Sequence, residues 1–223
     1  MDSTARYDGL ADWYDEEFQP EPLDGDAWRV VSPRIGEGPG ELLDLGCGTG
    51  VYSVALAKRG WTVTGVDISG DMLRRARERG VSVVRADGTA LPFDDGSFDT
   101  VVSIFTHSDF DDFPAAVGEV ARVLRAGGSF VYLGVHPCFV GPHSLYIQAI
   151  GVPQLHEGWY RREGHYMQAP GISPEGLRAR FGATHIPLGH FLQSFLDAGF
   201  RFEHIVEPEG RDYPYMLALE LRR

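Results

Sequence analysis

Short apolar runs alternate with helix-like segments from Glu41 to Leu133, and this alternation limits the possible folds more than any other feature. A strict order of strand, helix and strand is typical of βαβ units in a parallel sheet. Ser69 has the side chain of a helix N-cap. We predict strands in ELLDL, TVTGVD, VSVVRAD, FDTVVSIF and SFVYLGV, with helices over 50–60, 69–79 and 112–128. The chain is therefore expected to be an α/β protein with helices on both faces of its sheet.

The regular alternation stops after the fifth predicted strand. Residues 136–187 contain five of the eight histidines, several glycines and prolines, and aromatic residues such as Trp159 and Tyr166. A long irregular segment inside a compact domain is typical of a functional lid. We therefore predict a single domain over 1–223, divided into a cover segment (1–35), a cofactor-binding core (41–135), a substrate lid (136–187) and a final unit of one helix and two strands (188–223).

A glycine motif stands at the end of the first predicted strand, where Gly46, Gly48 and Gly50 have the spacing GxGxG. Glycine lets a chain turn sharply from strand to helix while its backbone approaches a ligand closely. The acidic residues Glu41 and Asp44 just before the motif would repel phosphate groups. They suit a cationic ligand, such as a sulfonium compound that also carries an ammonium group.

Two further carboxylates follow strands. Asp67 ends the second strand, 21 residues after Gly46, at the distance where an acidic residue accepts hydrogen bonds from ribose hydroxyls. Asp87 ends the third strand, where it could accept from an adenine amino group while Ile68 and Met72 flank the base. Parallel sheets bind ligands at the carboxyl ends of their strands. The sequence therefore predicts one adenosyl site, although Asp87 could instead be an exposed turn residue.

Four segments occur in the order expected of a known family: ELLDLGCGTG, the strand ending at Asp67, ADGTALPFDDGSFDTVVS and EVARVLRAGGSFVYLG. In these the chain resembles the class I S-adenosylmethionine-dependent methyltransferases. The segment YDGLADWYD also resembles the one that precedes the domain in small-molecule members similar to the ubiquinone and menaquinone methyltransferases. The resemblance covers Tyr7 to Leu133. It implies a seven-stranded, mostly parallel sheet of order 3-2-1-4-5-7-6 whose last strand is antiparallel.

The resemblance implies S-adenosylmethionine as cofactor and S-adenosylhomocysteine as product. The methionine end would lie near Gly46 and Tyr14, and Cys47 would contribute its backbone. Tyr7 and Tyr14 could alternatively only pack on the core. The expected cofactor-binding residues are Tyr7, Tyr14, Asp44, Gly46, Cys47, Gly48, Gly50, Asp67, Ile68, Met72, Asp87, Gly88 and Phe105.

Two histidines follow strands whose carboxyl ends should face the transferred methyl group. His107 comes after the fourth strand and His136 after the fifth. Because imidazole titrates near neutrality, either could be a general base, and Tyr14 is the third catalytic candidate. The alternative for each histidine is a solvated or structural imidazole. The spacing of the other histidines matches no metal-site motif, so no metal is expected.

The expected reaction is methyl transfer to an oxygen, nitrogen or carbon atom of a small molecule, of the kind used in secondary metabolism. The aromatic residues of the lid suit a planar acceptor. Two alternatives stay open at this stage. One is a methyltransferase-like scaffold that transfers no methyl group, such as a cyclase or a regulatory partner. The other is a nicotinamide-dependent reductase, which the GxGxG spacing disfavours.

Composition excludes some partners. A net charge of −12, from 20 basic and 32 acidic residues, would repel a nucleic-acid backbone. No apolar stretch approaches the roughly 20 residues of a membrane span, and the first residues lack signal-peptide features. Two cysteines fit a reducing compartment. We therefore expect a cytoplasmic monomer or homodimer that binds neither nucleic acid nor membrane.

Overall fold

The computed structural model describes residues 5–18, 23 and 25–223. The predicted cover segment (1–35) therefore lies partly outside the described residues. Within 5–18, a short helix α1 (Ala11–Trp13) continues into a π-helical turn (Tyr14–Phe18).

The central sheet has seven strands in the order β3-β2-β1-β4-β5-β11-β10. The first five are parallel, whereas β11 runs antiparallel to both β5 and β10. This confirms the predicted order and the antiparallel last strand. The strand bounds are β1 Glu41–Leu45, β2 Thr62–Asp67, β3 Ser82–Arg85, β4 Phe98–Ile104, β5 Leu124–Val135, β6 Ser144–Ile147, β7 Val152–Leu155, β8 Gly164–Tyr166, β9 Ala183–His185, β10 Arg201–Val206 and β11 Met216–Arg222.

Helices cover both faces of the sheet. Successive side chains of a strand point to opposite faces, so a parallel sheet with two covered faces is apolar throughout. Leu42 belongs to the core that β1 shares with α2 and α3, and the next residue, Leu43, to the core shared with α5 and α7. The other helix bounds are α2 Asp26–Ile35, α3 Val51–Ala57, α4 Gly70–Glu78, α5 Phe113–Val123, α6 Arg178–Phe181 and α7 Leu188–Asp197.

The structure confirms one predicted helix end and shows that another prediction was wrong. The Ser69 hydroxyl accepts from the Met72 amide at 3.2 Å, which confirms the predicted N-cap of α4. In contrast, α5 stops at Val123, before the glycines expected to end it, and β5 begins at Leu124. The pairing of β4 with β5 shifts register at this point. Cross-strand pairing therefore outcompetes the local helical pattern over these residues.

Residues 136–187 are more regular than expected. They form two hairpins, β6 with β7 and β8 with β9. In the second hairpin, the short helix α6 lies between the two strands along the chain. Within the described residues, no helix is long and apolar enough to cross a membrane.

Candidate functional site

A cavity of about 600 Å³ opens where β1 to β4 end, within the size range of small-molecule sites. Three parts of the chain form its wall: the strand ends, the segment that follows β4, and the amino-terminal segment. The residues that line it are Arg6, Tyr7, Tyr14, Leu45, Gly46, Gly48, Val66, Asp67, Ile68, Met72, Ala86, Asp87, Gly88, Thr89, Ile104, Phe105, Thr106, Asp109, Phe110, Asp111 and Asp112.

The glycine turn brings the end of β1 against the end of β2. Gly46 has a φ of 73°, and a Cβ atom there would lie only 2.4 Å from Cγ2 of Thr106. The amides of Gly46 and Cys47 both donate to the carbonyl of Val66, at 2.8 and 2.9 Å. Only glycine combines this backbone conformation with this close approach, so the turn leaves its backbone open to the cavity.

Asp67 is held by backbone amides at the edge of the cavity. Gly48 donates to Oδ2 at 3.0 Å, and Ser69 donates to Oδ1 at 2.9 Å. Burial raises the pKa of this carboxyl to about 6, against the opposing effect of those amides. Ile68 and Met72, which the sequence predicts to flank an adenine base, line the same wall.

Asp87 follows β3 and also lines the cavity. Its Oδ1 accepts from the amide and the hydroxyl of Thr89, at 2.9 and 2.8 Å. At the neighbouring Gly88, a Cβ atom would lie 2.6 Å from the ring of Phe110. Because Gly88 has no side chain, the ring of Phe110 can pack against the backbone next to Asp87, and both residues line the cavity.

Three predicted cofactor residues lie behind the wall. Asp44 is buried and accepts from the Ser53 hydroxyl at 2.5 Å, and burial raises its pKa to about 6. Cys47 packs against Gly65, and Gly50 begins α3 against Ala76. None of the three lines the cavity. They therefore shape the turn from behind, and the side chains of Asp44 and Cys47 do not form its wall.

Glu41 lies at the opposite end of β1, where it pairs in register with Thr62 at the start of β2. Its amide donates to the Asp99 carboxylate at 2.8 Å. The prediction that Glu41 and Asp44 act as an acidic pair toward the ligand is therefore wrong for Glu41. Side chains at the two ends of a five-residue strand cannot meet the same ligand group.

The amino-terminal segment covers the cavity with two tyrosines. The rings of Tyr7 and Tyr14 make an edge-to-face contact, with centroids 5.9 Å apart, and both line the wall. Burial raises the pKa of both phenols, so they remain protonated donors at neutral pH. The hydroxyl of Tyr7 donates to Oδ2 of Asp109 at 3.2 Å.

The segment after β4 contributes Phe105, which the sequence predicted, and Asp109, which sequence reasoning missed. Phe105 lines the wall with a φ of 59°, a conformation that non-glycine residues adopt rarely. Beyond it, a 3₁₀ turn (His107–Asp109) places Asp109 in the wall. Asp109 forms an ion pair with Arg178, and its carbonyl accepts from Arg6 at 2.6 Å. The signal in the sequence was the acidic run SDFDD directly after the fourth strand.

His107 does not face the cavity. Its Nδ1 lies 2.5 Å from the hydroxyl of Tyr132, and its ring packs against Phe113 and Phe191. Burial, with the Arg178 charge as a smaller cause, lowers its pKa to about 3. The prediction of a general base is therefore corrected to a neutral core residue.

His136 is also buried away from the cavity wall. Its Nδ1 accepts from the Cys138 amide at 3.1 Å, and its Nε2 lies 2.8 Å from Glu207. Burial lowers its pKa, against the effect of Glu207. Both ring nitrogens are thus engaged, so His136 is a structural imidazole and Tyr14 is the one catalytic candidate that reaches the cavity.

The predicted lid reaches the cavity only indirectly. No side chain of residues 136–187, all of which the structure describes, lines the wall. Trp159 and Tyr166 pack on each other instead, with ring centroids 5.4 Å apart. The contact with the site runs through Arg178, paired with Asp109, and through Phe181, whose ring centroid lies 4.3 Å from that of Tyr7.

The wall is strongly acidic. Among the described residues, five aspartates and one arginine line it: Asp67, Asp87, Asp109, Asp111 and Asp112, with Arg6. Such a surface favours a cationic ligand and repels the pyrophosphate of a dinucleotide. Among the described residues, no group of three or more His, Cys, Asp or Glu side chains could hold a metal ion.

Comparisons of the sequence and of the fold identify known proteins that are similar to this chain. A family model described as a methyltransferase domain matches residues 43–132. A demethylmenaquinone methyltransferase of Thermus thermophilus is 35% identical over 75% of this chain and 83% of its own. One of Mycobacterium marinum is 40% identical over 58% of each chain. A crystal structure of an S-adenosylmethionine-dependent methyltransferase from Mesorhizobium loti has a TM-score of 0.73 and 25% identity, over 90% of this chain and all of its own.

Proposed function

Because the chain belongs to the class I S-adenosylmethionine-dependent methyltransferases of the menaquinone-methyltransferase-like group, we propose that its cavity binds the cofactor and a hydroxylated aromatic acceptor side by side. The chain is thus an enzyme that transfers a methyl group to a small molecule. The further proposals concern which residues bind the cofactor and which class of acceptor is used.

The cofactor residues follow from the cavity wall. Asp67 would accept from the ribose hydroxyls, and Asp87 would accept from the adenine amino group between Ile68 and Met72. The methionine end would lie along the glycine turn, next to Tyr14. The fit rests on the acidic wall and on the carboxylate of Asp67, which backbone amides hold ready for a ligand. The bound cofactor supplies an electrophilic methyl group.

The protein contributes alignment and exclusion of water. Two groups held in reacting geometry gain about 7 to 11 kcal/mol relative to their free encounter. Tyr7 and Tyr14 cover the site from one side, and Phe105 and Phe110 line it from the segment after β4. This enclosure protects a reactive methyl donor from hydrolysis.

The acceptor class is inferred from the aromatic and acidic residues of the same cavity wall. Tyr7, Tyr14, Phe105 and Phe110 offer aromatic surface, and Asp109 offers hydrogen-bond acceptors beside it. A ring that carries a hydroxyl group matches both. Two relatives carry names that specify demethylmenaquinone, whose reduced form is a quinol of this class. We propose a phenol or quinol, methylated on oxygen or on a ring carbon.

The single observation that carries the proposal is one cavity in which Asp67 and Asp109 face the same space from different strand ends. The test is formation of S-adenosylhomocysteine by the purified protein with phenols, hydroquinones, amines and acidic carbon compounds. Turnover with the hydroxylated aromatics, and little with amines, is expected. Turnover with amines alone would refute the acceptor class.

We propose further that the chain acts in the cytoplasm, as a monomer or homodimer, on a free small molecule and not on nucleic acid. Its net charge of −12 argues against nucleic acid, and its two free cysteines, Cys47 and Cys138, fit a reducing compartment. Sedimentation would measure the oligomeric state. Retention on heparin at physiological salt would contradict the expectation about nucleic acid.

A further inference from the structure

Asp109 joins three distant parts of the chain at the cavity wall. It lies in the 3₁₀ turn after β4, where Tyr7 of the amino-terminal segment donates to its Oδ2 at 3.2 Å. Arg178 of α6 forms an ion pair with it, with Nη1 on Oδ1 and Nη2 at 3.3 Å from Oδ2. A carboxylate held from two directions has a defined orientation.

Arg178 is itself fixed in place. Its Nη2 also donates to the Ser108 hydroxyl at 2.7 Å, and its side chain is 25% exposed. Burial opposes its charge, but Asp109 raises the pKa of Arg178 above the usual value, so the guanidinium remains charged. Arg178 does not line the cavity. Its position behind Asp109 suits support of that carboxylate and not ligand contact.

Asp109 lines the cavity wall while its carboxylate is held by Tyr7 and Arg178. Its side chain is 22% exposed, next to Phe110. After burial, which is the larger cause, the charge of Asp109 contributes to the raised pKa of both Asp67 and Tyr14. Asp109 lines the same cavity as Asp67, the expected ribose contact, and Tyr14.

An ionised carboxylate only accepts hydrogen bonds, so the open side of Asp109 fits a donor on the ligand. We propose that Asp109 is a catalytic residue that binds the hydroxyl group of the methyl acceptor, with Arg178 and Tyr7 as positioning residues. This inference rests on the proposed function. It selects acceptors that carry a hydroxyl and rejects their methyl ethers, because an ether would leave Asp109 facing the cavity without a donor.

Asp109 also completes the proton balance of the reaction. The acceptor gains the methyl group on oxygen or on a ring carbon, and the electron pair of the broken carbon–sulfur bond stays on sulfur. The acceptor loses one proton, which Asp109 accepts and passes to solvent. The hydrogen bond to the carboxylate increases electron density on the acceptor before the methyl group moves.

The test measures binding of 1-naphthol and its methyl ether, 1-methoxynaphthalene, by calorimetry to protein saturated with S-adenosylhomocysteine. The wild-type protein should bind 1-naphthol about ten- to a hundredfold more tightly, as expected for a hydrogen bond to a charged group. Asp109→Asn should lose this preference, because its amide can turn a donor toward the cavity. Its affinity for S-adenosylhomocysteine should stay within about twofold of wild type.

The matched control is Asp94→Asn, the same change at an exposed carboxylate outside the cavity wall. It should keep the wild-type preference. If Asp109→Asn alone does not fold because Arg178 loses its partner, the double variant Asp109→Asn/Arg178→Gln removes both charges and takes its place. Arg178→Lys should weaken 1-naphthol binding less than Arg178→Gln, a difference expected of a positioning charge.

Four results would overturn the assignment of Asp109. In the wild-type protein, these are equal affinity for 1-naphthol and 1-methoxynaphthalene, or binding of neither compound. In Asp109→Asn, they are a retained preference for 1-naphthol, or loss of S-adenosylhomocysteine binding. The last result would make Asp109 a cofactor ligand. A retained preference for 1-naphthol in a protein that methylates only amines would refute the proposed acceptor class and leave the hydroxyl site in place.

Discussion

The backbone amide of Gly48 donates to Oδ2 of Asp67 at 3.0 Å, and this bond joins the glycine turn after β1 to the end of β2. The amide of Ser69 holds the other oxygen at 2.9 Å. The carboxylate is therefore oriented before a ligand arrives. Binding to a pre-oriented group loses less conformational entropy than binding to a mobile one.

Replacing Asp67 tests the expected ribose contact. Asp67→Ala should weaken S-adenosylhomocysteine binding about ten- to a hundredfold, since it removes a charge-assisted pair of hydrogen bonds. Calorimetry measures the affinity, and circular dichroism checks the fold. Asp94→Ala, an exposed carboxylate, is the control and should bind normally. Normal binding by Asp67→Ala would exclude the role.

Cofactor binding should depend on pH through Asp67. Its pKa is raised to about 6, mainly by burial, so the carboxyl is partly protonated in slightly acidic solution. A protonated carboxyl is a weaker acceptor for ribose hydroxyls. Affinity for S-adenosylhomocysteine should therefore rise from pH 5 to pH 7, with proton release on binding near pH 6. Calorimetry in buffers of different ionisation enthalpy measures the released protons, and pH-independent affinity would contradict the expectation.

The raised pKa of Asp67 also affects the folding stability of the ligand-free protein. This stability should fall as pH rises, whereas the affinity for S-adenosylhomocysteine should increase. Because the folded pKa of about 6 exceeds the reference value of 3.8, this group contributes stability at low pH that is lost as pH rises through 6. Asp67→Asn cannot ionise. The difference in melting temperature between Asp67→Asn and wild type, both ligand-free, should therefore move in favour of the variant between pH 5 and pH 7.5.

His107→Gln distinguishes a core residue from a base. Loss of the contact with Tyr132 in a buried site should cost about 1 to 3 kcal/mol of unfolding free energy. Turnover should stay within about threefold, far from the 10² to 10⁴ expected for loss of a base. Tyr132→Phe is the control, since it breaks the same contact from the other side. A large fall in turnover at unchanged melting temperature would restore His107 as a catalytic candidate.

The strand ends were predictable because they depend on local and periodic signals. Gly46, Asp67 and Asp87 follow apolar runs of strand length, and parallel strands bring their carboxyl ends together whatever the rest of the chain does. The direction of a side chain after a strand has no such signal. The positive φ of Phe105 redirects the chain, so that His107 points into the aromatic core and Asp109 into the cavity.

The partners of Asp109 were beyond prediction for a different reason. Tyr7 and Arg178 lie 102 and 69 positions from Asp109 along the chain. No periodic pattern links such distant residues, because their contact depends on how the amino-terminal segment and α6 pack over the finished sheet. The hairpins in residues 136–187 were missed because pairing between short strands overrode a sequence rich in glycine and proline.

Ion pairs made by the exposed residues Asp12 and Glu16 help to attach the amino-terminal segment to α4, and such exposed pairs are sensitive to salt. Asp12 accepts from Arg74 and Arg75, each at 2.7 Å, and Glu16 accepts from Arg75 at 2.7 Å. Asp12 is 63% exposed. This segment carries Tyr7 and Tyr14 into the cavity wall. We therefore expect detachment of the segment from α4 to set the rate at which the bound product dissociates.

Asp12→Asn should therefore speed dissociation of S-adenosylhomocysteine, measured by stopped-flow displacement. In wild type, raising the salt concentration from about 0.1 M to 1 M, where the screening length falls from about 10 to 3 Å, should also speed dissociation. The variant should respond less, because the pairs of Asp12 with Arg74 and Arg75 are already lost while the Glu16–Arg75 pair remains. Asp26→Asn, which breaks an exposed pair with Arg29 on α2, is the control and should follow wild type. Equal salt dependence in Asp12→Asn and wild type would show that the dissociation rate of the product does not depend on these ion pairs.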